Sequence, residues 1–411
     1  MPNKEKMTID ERYKVLRIVQ EDYRQAKRKE RSQLLDHMER VTGLNRKTLI
    51  RHMNGQIERK ARRKQRGKTY GHEVDDALRV ISETLDYICA ERITSHLVST
   101  AKHLAAHNEL QLSPGLLEKL ERISVSTVRR RLKKFARLEQ WRLPRRQGPK
   151  QRNPVTRNIP TKRMPWDEQE PGHFEVDLVH HCGPSPSGHY VHTLQMIDVA
   201  TGWSERVAVL GRSQRVIADA FVRILTRLPF RVREIHPDNG TEFLNPHLVR
   251  LWRDRVKGVQ LSRSRPFHKN DNRFVEQKNS TLVRAYLGDW RLDTVAQTRL
   301  LNQLYDKMWL YYNFFQPVMR LTEKTTISSG DQAHRVRRRY GPAQTPFQRL
   351  CATNAISDAQ HQRLQRLRDQ TNPRHLRQEI YDLLDQLFSL PGAEPDQTED
   401  ALETLFVPLP V

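Results

Sequence analysis

The sequence predicts an α/β core with a mixed sheet and flanking helices, preceded by all-α units and followed by a mostly α C-terminal region. Strand-like runs alternate with helical patterns across residues 172–290. By contrast, residues 7–54 and 73–136 carry apolar residues at helical spacing only. A Pro- and Arg-rich stretch at residues 138–171 separates the two kinds of pattern and predicts a linker.

The 411-residue chain is strongly basic, because 72 Lys and Arg oppose 48 Asp and Glu and give a formal net charge of +24. This charge predicts a polyanionic partner, of which nucleic acid is the commonest. The sequence shows neither a membrane-length apolar run nor the apolar stretch of a signal peptide. Its three cysteines are far apart and include no CxxC pair, which argues against a zinc finger and a disulfide framework. We therefore expect a reduced, cytoplasmic protein.

Residues 1–56 are predicted to form a helix-turn-helix DNA-binding unit. A helix near residues 31–41 is followed by a short Gly-bearing turn and then by a basic helix. That second helix would present three cations to DNA, namely Arg46, Lys47 and Arg51. The alternative is an ordinary helical hairpin with a solvated basic face. The next segment, residues 57–72, is predicted to be a basic linker or an arm that follows phosphates.

Residues 73–137 predict a second helical unit, which again ends in a helix-turn-helix pattern. Its core stripe recurs at helical spacing, as Val74, Leu78, Ile81, Leu85 and Ile88. Ser124 or Ser126 can cap the last helix. That helix carries four candidate DNA contacts, namely Arg129, Arg130, Arg131 and Lys133. Two such units in tandem would suit a long bipartite DNA site.

The predicted core at residues 172–290 begins with a hairpin. Strand-like runs at residues 173–181 and 190–199 flank a Gly/Pro/Ser turn. A third strand then leads into strands that alternate with helices. These further elements are strands at residues 203–210, 233–236 and 259–263 and helices at residues 214–228, 245–256 and about 272–286.

Three acidic residues of the core stand out by their context. Asp177 lies inside the strand FEVDLV, where a charge among apolar neighbours is costly unless it is paired or binds metal. Asp238 follows a strand in HPDNGTEF, at the end of the strand where α/β sheets place their sites. Glu276 lies near the start of a helix in HKNDNRFVEQKN. Three separated carboxylates are suitable oxygen ligands for two Mg²⁺ ions in phosphoryl transfer.

These three segments, in this order, resemble the catalytic core of the DDE transposase and retroviral-type integrase superfamily. The long first interval between the acids and the shorter second one are also typical of that superfamily. Over its whole length the chain resembles bacterial insertion-sequence transposases with an integrase-type core. The resemblance covers the core well, the N-terminal units loosely and the C-terminal third weakly.

The resemblance implies a ribonuclease H-like core and a DDE-type polynucleotidyl transferase. Asp177, Asp238 and Glu276 would be its catalytic and metal-binding triad, with two Mg²⁺ ions for which Mn²⁺ can substitute. The family reaction nicks element ends and joins the freed 3′-OH to target DNA. This implies double-stranded DNA as the partner, a homodimer or higher multimer on it, no small-molecule cofactor, and a cytoplasmic, DNA-associated location in a bacterium. End recognition would fall to the helix-turn-helix units, because the chain lacks the ligands of the retroviral zinc domain.

Other polar residues near the triad have two interpretations each. Lys278, Asn279 and Arg284 share the helix of Glu276 and serve either phosphate positioning or a solvated face. Glu175 shares a strand face with Asp177 and is either a ligand or a supporting partner, whereas Asp198 is interpreted as structural or supporting. A joint metal site would need a bulge in the strand, because its candidate ligands are the consecutive residues His180, His181 and Cys182.

Residues 291–390 are predicted to be mostly helical and to serve DNA binding or multimer contacts. The helix at residues 295–315 is rich in aromatic residues, which we interpret as core rather than as a base-stacking surface. Residues 317–346 are predicted to be irregular and contain a basic cluster, Arg335, Arg337, Arg338 and Arg339. Two more helices follow, and residues 391–411 are predicted to be a loose acidic tail.

Two rival functions remain open on the sequence alone. A non-catalytic DNA-binding regulator with a decayed integrase core would keep the helical units without a working triad. A structure-specific nuclease would need the triad but not two DNA-binding units. The intact contexts of the three acids favour a DNA transposase over the regulator, and the two DNA-binding units argue against the nuclease.

Overall fold

The computed structural model divides the chain into two compact units, Met1–Thr69 and Tyr70–Val411. The described residues are 7–58, 69–135, 168–237, 243, 246–264, 271–329, 332–394 and 399–406. The division between the units falls within the predicted basic linker. Most of that linker, nearly all of the predicted linker at 138–171 and much of the predicted tail lie outside the described residues.

Three helices pack around a small apolar core in the first unit: α1 (Ile9–Gln25), α2 (Arg28–Thr42) and α3 (Arg46–Met53). Thr8 and Glu11 form a reciprocal capping box at the start of α1. Gly43, with a φ of 66°, ends α2 in the left-handed region that glycine tolerates, and Asn45 caps α3 two residues later. Helices α2 and α3 are therefore joined by only three residues. The buried core consists of Leu16, Tyr23, Leu35, Met38, Leu49, Met53 and Ile57.

The second unit begins with five helices around their own apolar cluster. They are α4 (His72–Thr84), α5 (Ala90–Thr94), α6 (Leu97–Ala106), α7 (Pro114–Arg122) and α8 (Val125–Phe135). The hydroxyl of Ser124 accepts a hydrogen bond from the backbone N–H of Thr127, so Ser124 rather than Ser126 caps α8. The predicted core stripe of α4 is buried in this cluster, with Ile88 packed at its margin.

A five-stranded mixed sheet forms the centre of the second unit, as predicted. Its strands are β1 (His173–His180), β2 (Val191–Asp198), β3 (Ser204–Leu210), β4 (Glu234–Pro237) and β5 (Gln260–Leu261). Their order is β3-β2-β1-β4-β5. The first three strands pair antiparallel, and β4 pairs parallel to both β1 and β5.

Helices flank the sheet in the order that the sequence predicts. They are α9 (Gln214–Arg227), α10 (Pro246–Arg255), α11 (Arg273–Lys278), α12 (Ala285–Leu287) and α13 (Val295–Leu310). Helix α13 and the residues after it cover the edge strand β3. The side-chain amide of Asn302 exchanges two hydrogen bonds of 2.9 Å with the backbone of Ala208, and Asn313 bonds Ser204 in the same way. These bonds satisfy backbone groups that an edge strand would otherwise leave unpaired.

The single helix predicted at residues 272–286 is divided in the structure. Helix α11 passes into a π-helical segment, Asn279–Arg284, before α12 completes the run. A π-helical turn changes the angular spacing of the side chains, and such turns are frequent at functional sites. Sequence periodicity does not distinguish this turn from a regular helix.

The prediction that residues 317–346 are irregular was wrong. Strands β6 (Leu321–Ser329) and β7 (Gln332–Tyr340) form a separate two-stranded antiparallel sheet. Both strands are polar and residues 337–340 are exposed, so no apolar alternation marks them in the sequence.

The remaining helices are α14 (Pro346–Cys351), α15 (Asp358–Gln370) and α16 (Pro373–Ser389). Ser357 and Asn372 cap α15 and α16, which are the two further helices that the sequence predicts. The aromatic run before β6 is buried, which confirms its assignment to the core; it includes Trp309, Tyr311, Phe314 and Phe315. Among the described helices, none has both the length and the apolar character to cross a membrane.

Candidate active site

Asp177 is held on one face of β1 by two hydrogen bonds. One carboxylate oxygen accepts from the side-chain amide of Asn279 at 2.6 Å, and the other accepts from the backbone N–H of Leu178 at 2.9 Å. Asn279 begins the π-helical segment that continues α11. The bond therefore ties β1 to the helix that carries Glu276.

Glu175 is fully buried and lies on the same face of β1 as Asp177. One of its carboxylate oxygens accepts from the backbone N–H groups of Phe274 and Val275, at 2.7 and 2.9 Å. Burial raises the pKa of this carboxyl to about 7, although the two backbone N–H groups lower it. Glu175 thus satisfies N–H groups that a helix start leaves without partners, and it fixes where α11 begins.

Glu276 is exposed on α11, three residues before Asn279. Residues three apart on a helix share a face. Because Asn279 contacts Asp177, Glu276 lies one turn of helix away from that contact. The structure therefore brings together the elements that carry two of the three predicted acids.

Asp238, the third predicted acid, lies outside the described residues. The structure describes the strand before it, which ends at Pro237. Pro237 is paired with Val176 in the parallel register of β4 and β1. The described chain therefore leaves β4 beside Val176, the neighbour of Asp177.

Several oxygen atoms around Asp177 are buried without a hydrogen-bond partner. They are Oε1 of Glu175, Oδ1 of Asn279 and Oε1 of Gln195. Gln195 lies on β2 and is the residue paired with Asp177. Carboxylate and amide oxygens of this kind fit a hard cation such as Mg²⁺. Within the described residues no group of three or more His, Cys, Asp or Glu side chains could hold a metal ion, so a triad site requires Asp238.

Lys278 and Arg284, which are predicted DNA contacts on the helix of Glu276, do not lie on a solvated face. Arg284 donates to the backbone carbonyl of His180 at 2.7 Å, which fixes the π-helical segment to the end of β1. Lys278 is half-buried. Burial, and then the positive charges of Arg92 and Arg206, lower the pKa of its ammonium to about 7.

The predicted DNA contacts of the N-terminal helices fall into two groups. Three form ion pairs with acids of their own unit: Arg46 with Asp36, Arg129 with Glu91, and Arg131 with Asp75. The other four are exposed: Lys47, Arg51, Arg130 and Lys133.

His180, His181 and Cys182 do not converge on a common site. His181 is fully buried, its ring nitrogen lies 2.7 Å from the hydroxyl of Thr193, and burial lowers its pKa well below the usual value. The ring of His180 instead lies 3.2 Å from the hydroxyl of Tyr190. The alternation of side chains along the strand explains the separation.

Asp198 has the structural role that its position predicts. Its carboxylate accepts from the backbone N–H of Gly172 at 2.8 Å and from the backbone N–H and hydroxyl of Thr201 at 2.7 and 2.6 Å. These bonds join the turn after β2 to the residues that precede β1.

Sequence reasoning missed four arginines that surround Lys278. They are Arg92, Arg206, Arg320 and Arg349. Of these four, Arg206 alone is marked in the sequence, because it interrupts the largely apolar run ERVAVL. In the structure it is 2% exposed. The other three come from segments far apart in the chain, and no local pattern brings them together.

One known protein is similar to this chain over most of its length. A protein of Sinorhizobium fredii (strain NBRC 101917 / NGR234), called uncharacterized protein y4rM, is 34% identical over 344 residues, which are 84% of this chain and 96% of that protein. The chain belongs to the family of y4rM. The name of that family member states no activity.

Two further similarities each cover a part of this chain. The Pro-Pol polyprotein of feline foamy virus is 28% identical over 112 residues, 26% of this chain and 9% of the polyprotein. The crystal structure of the catalytic core domain of BIV integrase covers 35% of this chain and 85% of its own, with 16% identity and a TM-score of 0.27. No protein-family model matches the chain.

Proposed function

We propose that this protein is a DNA transposase of the insertion-sequence type. It binds element ends, nicks them and joins the 3′-OH to target DNA as a DDE-type polynucleotidyl transferase. The hydrogen bond between Asp177 and Asn279 carries the proposal, because it sets the helix of Glu276 against the strand of Asp177. The pairing of Val176 with Pro237 supports it, because the chain leads from there to Asp238.

Asp177, Asp238 and Glu276 are the proposed catalytic and metal-binding residues. Their carboxylates, with the buried amide oxygen of Asn279 beside them, suit two Mg²⁺ ions or Mn²⁺ in their place. When bound, such ions activate the attacking oxygen and stabilise the leaving oxygen of a phosphodiester. Glu175 fixes the start of the Glu276 helix and is a positioning residue.

The proposed partner is double-stranded DNA, as element ends and as target. The net charge of +24 supports a polyanionic partner. The proposed DNA contacts in the helical units are Arg46, Lys47, Arg51, Arg129, Arg130, Arg131 and Lys133. Those beside the acids are Lys278, Asn279 and Arg284. Concerted cutting of two ends suits a homodimer or higher multimer on DNA in the cytoplasm of a bacterium.

The similarity to a viral Pro-Pol polyprotein supports membership of the integrase-like superfamily. The order of the mixed sheet, with three antiparallel strands before two parallel ones, agrees with the ribonuclease H-like core that the three motifs imply.

The test is a transposition assay in cells. A donor plasmid carries a marker between the native DNA segments that flank the gene, and new junctions in a target plasmid are sequenced. We expect junctions with short target duplications from the wild type and none from Glu276→Gln, because the variant loses a carboxylate. Glu121→Gln makes the same change at an exposed position on α7 and should behave as wild type. Absence of junctions with retained binding of the flanking DNA would favour the non-catalytic regulator.

A further inference from the structure

Five cationic side chains gather beside the candidate active site. This cation cluster consists of Arg92 on α5, Arg206 on β3, Lys278 on α11, Arg320 before β6, and Arg349 on α14. Arg206 is buried and the other four are half-buried. Within the described part of the chain, none of the five forms a salt bridge with a carboxylate.

The segment before β6 anchors three members of the cluster. Arg92 donates to the backbone carbonyl of Pro317, and Arg349 donates to that of the next residue, Val318. Arg320 follows two residues later in the same segment. The guanidinium groups of Arg92 and Arg349 are therefore held by backbone carbonyls, whereas the Arg320 guanidinium interacts electrostatically with Asp198.

Close approaches connect this segment to α11. Arg320 and Arg349 both approach Gly202. Their guanidinium nitrogens lie 3.4 and 4.0 Å from the position that a Cβ atom would take at this glycine. The guanidinium of Arg320 also lies 6.0 Å from the ring centre of Phe274. Phe274 and Lys278 are four residues apart on α11 and share a helix face. Arg320 and Lys278 therefore lie on the same side of α11.

Arg206 is the most unusual member of the cluster. Its side chain is 2% exposed, and none of its three guanidinium nitrogens has a hydrogen-bond acceptor. The rings of Tyr305 and Tyr312 lie 5.7 and 5.3 Å from the guanidinium carbon. The acid that acts on it electrostatically is its strand neighbour Glu205, which already forms a salt bridge with Arg227. A buried cation with unsatisfied donors is expensive. The five cations of the cluster therefore exceed in charge the acids beside them, Glu205 and Asp198.

The register of the sheet places the cluster next to the acids. Asp177 on β1 is paired with Gln195 on β2, and Gln195 is paired in turn with Arg206 on β3. Directly paired residues point to the same face, and neighbouring strands are about 4.8 Å apart. Arg206 is therefore roughly 10 Å from Asp177 on the face that α11 covers, and Lys278 directly precedes Asn279, the partner of Asp177.

We propose that the cation cluster binds a backbone phosphate of the DNA strand that enters the active site. A phosphate bound by the half-buried arginines places negative charge beside Arg206, and arginine groups bind phosphate through paired N–H bonds. A DNA strand spans the distance of roughly 10 Å between Arg206 and Asp177 in a few nucleotides. The inference rests on the proposed function and names residues that position the strand.

The test compares Lys278→Met and Arg206→Met with Lys102→Met in the full chain. Lys102 is exposed on α6, so its variant makes the same change of charge outside the cluster. In chloride buffer the two cluster variants should melt no lower than the wild type, because each removes one positive charge from among like charges. Inorganic phosphate at constant ionic strength should raise the melting temperature of the wild type and of Lys102→Met, but not of Lys278→Met.

DNA binding is measured with the same proteins on a random-sequence duplex over a range of salt concentrations. Lys278→Met should bind about tenfold more weakly. The slope of log affinity against log salt should fall in magnitude by about one, as for the loss of one phosphate contact. Lys102→Met should match the wild type in both respects.

Three outcomes would overturn the inference. Stabilisation by inorganic phosphate with unchanged DNA affinity in Lys278→Met would assign the cluster to a free anion. No stabilisation by phosphate and no change in DNA affinity would leave the cluster without an anion. A cluster variant that melts well below the wild type in chloride would make its cation a structural support. None of these measurements requires DNA joining, so failure of the proposed catalysis would be seen separately.

Discussion

Glu175 and Asp177 lie two residues apart on one face of β1, but they have different structural roles. Asp177 bonds the side chain of Asn279 and is half-buried, whereas Glu175 is fully buried and bonds the backbone at the start of α11. The sequence placed both acids on one face, because strand alternation is local. It also placed Asn279 near Glu276 by helical spacing. The role of Glu175 as a helix cap could not be predicted, because its acceptor and donors are about a hundred residues apart.

We expect the Asn279→Ala variant to lower the rate of DNA joining at saturating DNA by about tenfold or more, since the lost bond is one between an amide and a carboxylate. Asn354→Ala, at an exposed loop position, is the matched control. A variant with the wild-type joining rate would show that the Asp177–Asn279 bond does not position the acids.

At the scale of elements, the predicted strands and helices of the core agree with the structure, whereas β6, β7 and the π-helical segment were not predicted. The core elements carry apolar residues at regular spacing because each has a buried face. Strands β6 and β7 carry few apolar residues and no regular apolar spacing. The π-helical segment differs from a regular helix in backbone hydrogen bonds that no residue type specifies. The capping of α11 by a residue of β1 is likewise a tertiary feature.

Replacement of Glu175 tests the capping of α11 directly. Glu175→Ala should lower the free energy of unfolding by about 1–2 kcal/mol, because two backbone N–H groups lose their acceptor. Glu175→Gln keeps an oxygen acceptor and should be less destabilising than Glu175→Ala. Urea unfolding in buffer with a chelator measures both. Equal stability of Glu175→Ala and wild type would contradict the capping role.

The raised pKa of Glu175 also predicts how stability depends on pH. A carboxyl whose pKa is about 7 in the folded state and 4.5 ordinarily binds more protons when folded, so its contribution to stability is present below about pH 4.5. That contribution is lost as the pH rises through 7. In Glu175→Gln the free energy of unfolding should therefore fall less between pH 4.5 and 7 than in wild type, and identical pH profiles would contradict the assignment.

At the scale of the whole molecule, the second helical unit predicted from the sequence is packed into the same compact unit as the core. Asp86, between α4 and α5, accepts from the hydroxyls of Tyr286 and Tyr381 at 2.5 and 2.8 Å and pairs with Arg377 at 3.1 Å. Tyr311 donates to the carbonyl of Thr84 at 2.6 Å. These partners are some 200 to 295 residues apart in sequence. Composition and local periodicity predicted the helices but could not predict this packing.

The central claim is that Asp177, Asp238 and Glu276 form one catalytic site for joining DNA. Its most direct test is a joining reaction with the purified full chain, a pre-nicked duplex of the native flanking sequence and a labelled target duplex. We expect a joined product in Mg²⁺ or Mn²⁺ with wild type and Glu121→Gln. We expect none in chelator, and none with Asp177→Asn, Asp238→Asn or Glu276→Gln, although these three should still bind the flanking DNA. Joining by any of the three at the wild-type rate would contradict the claim.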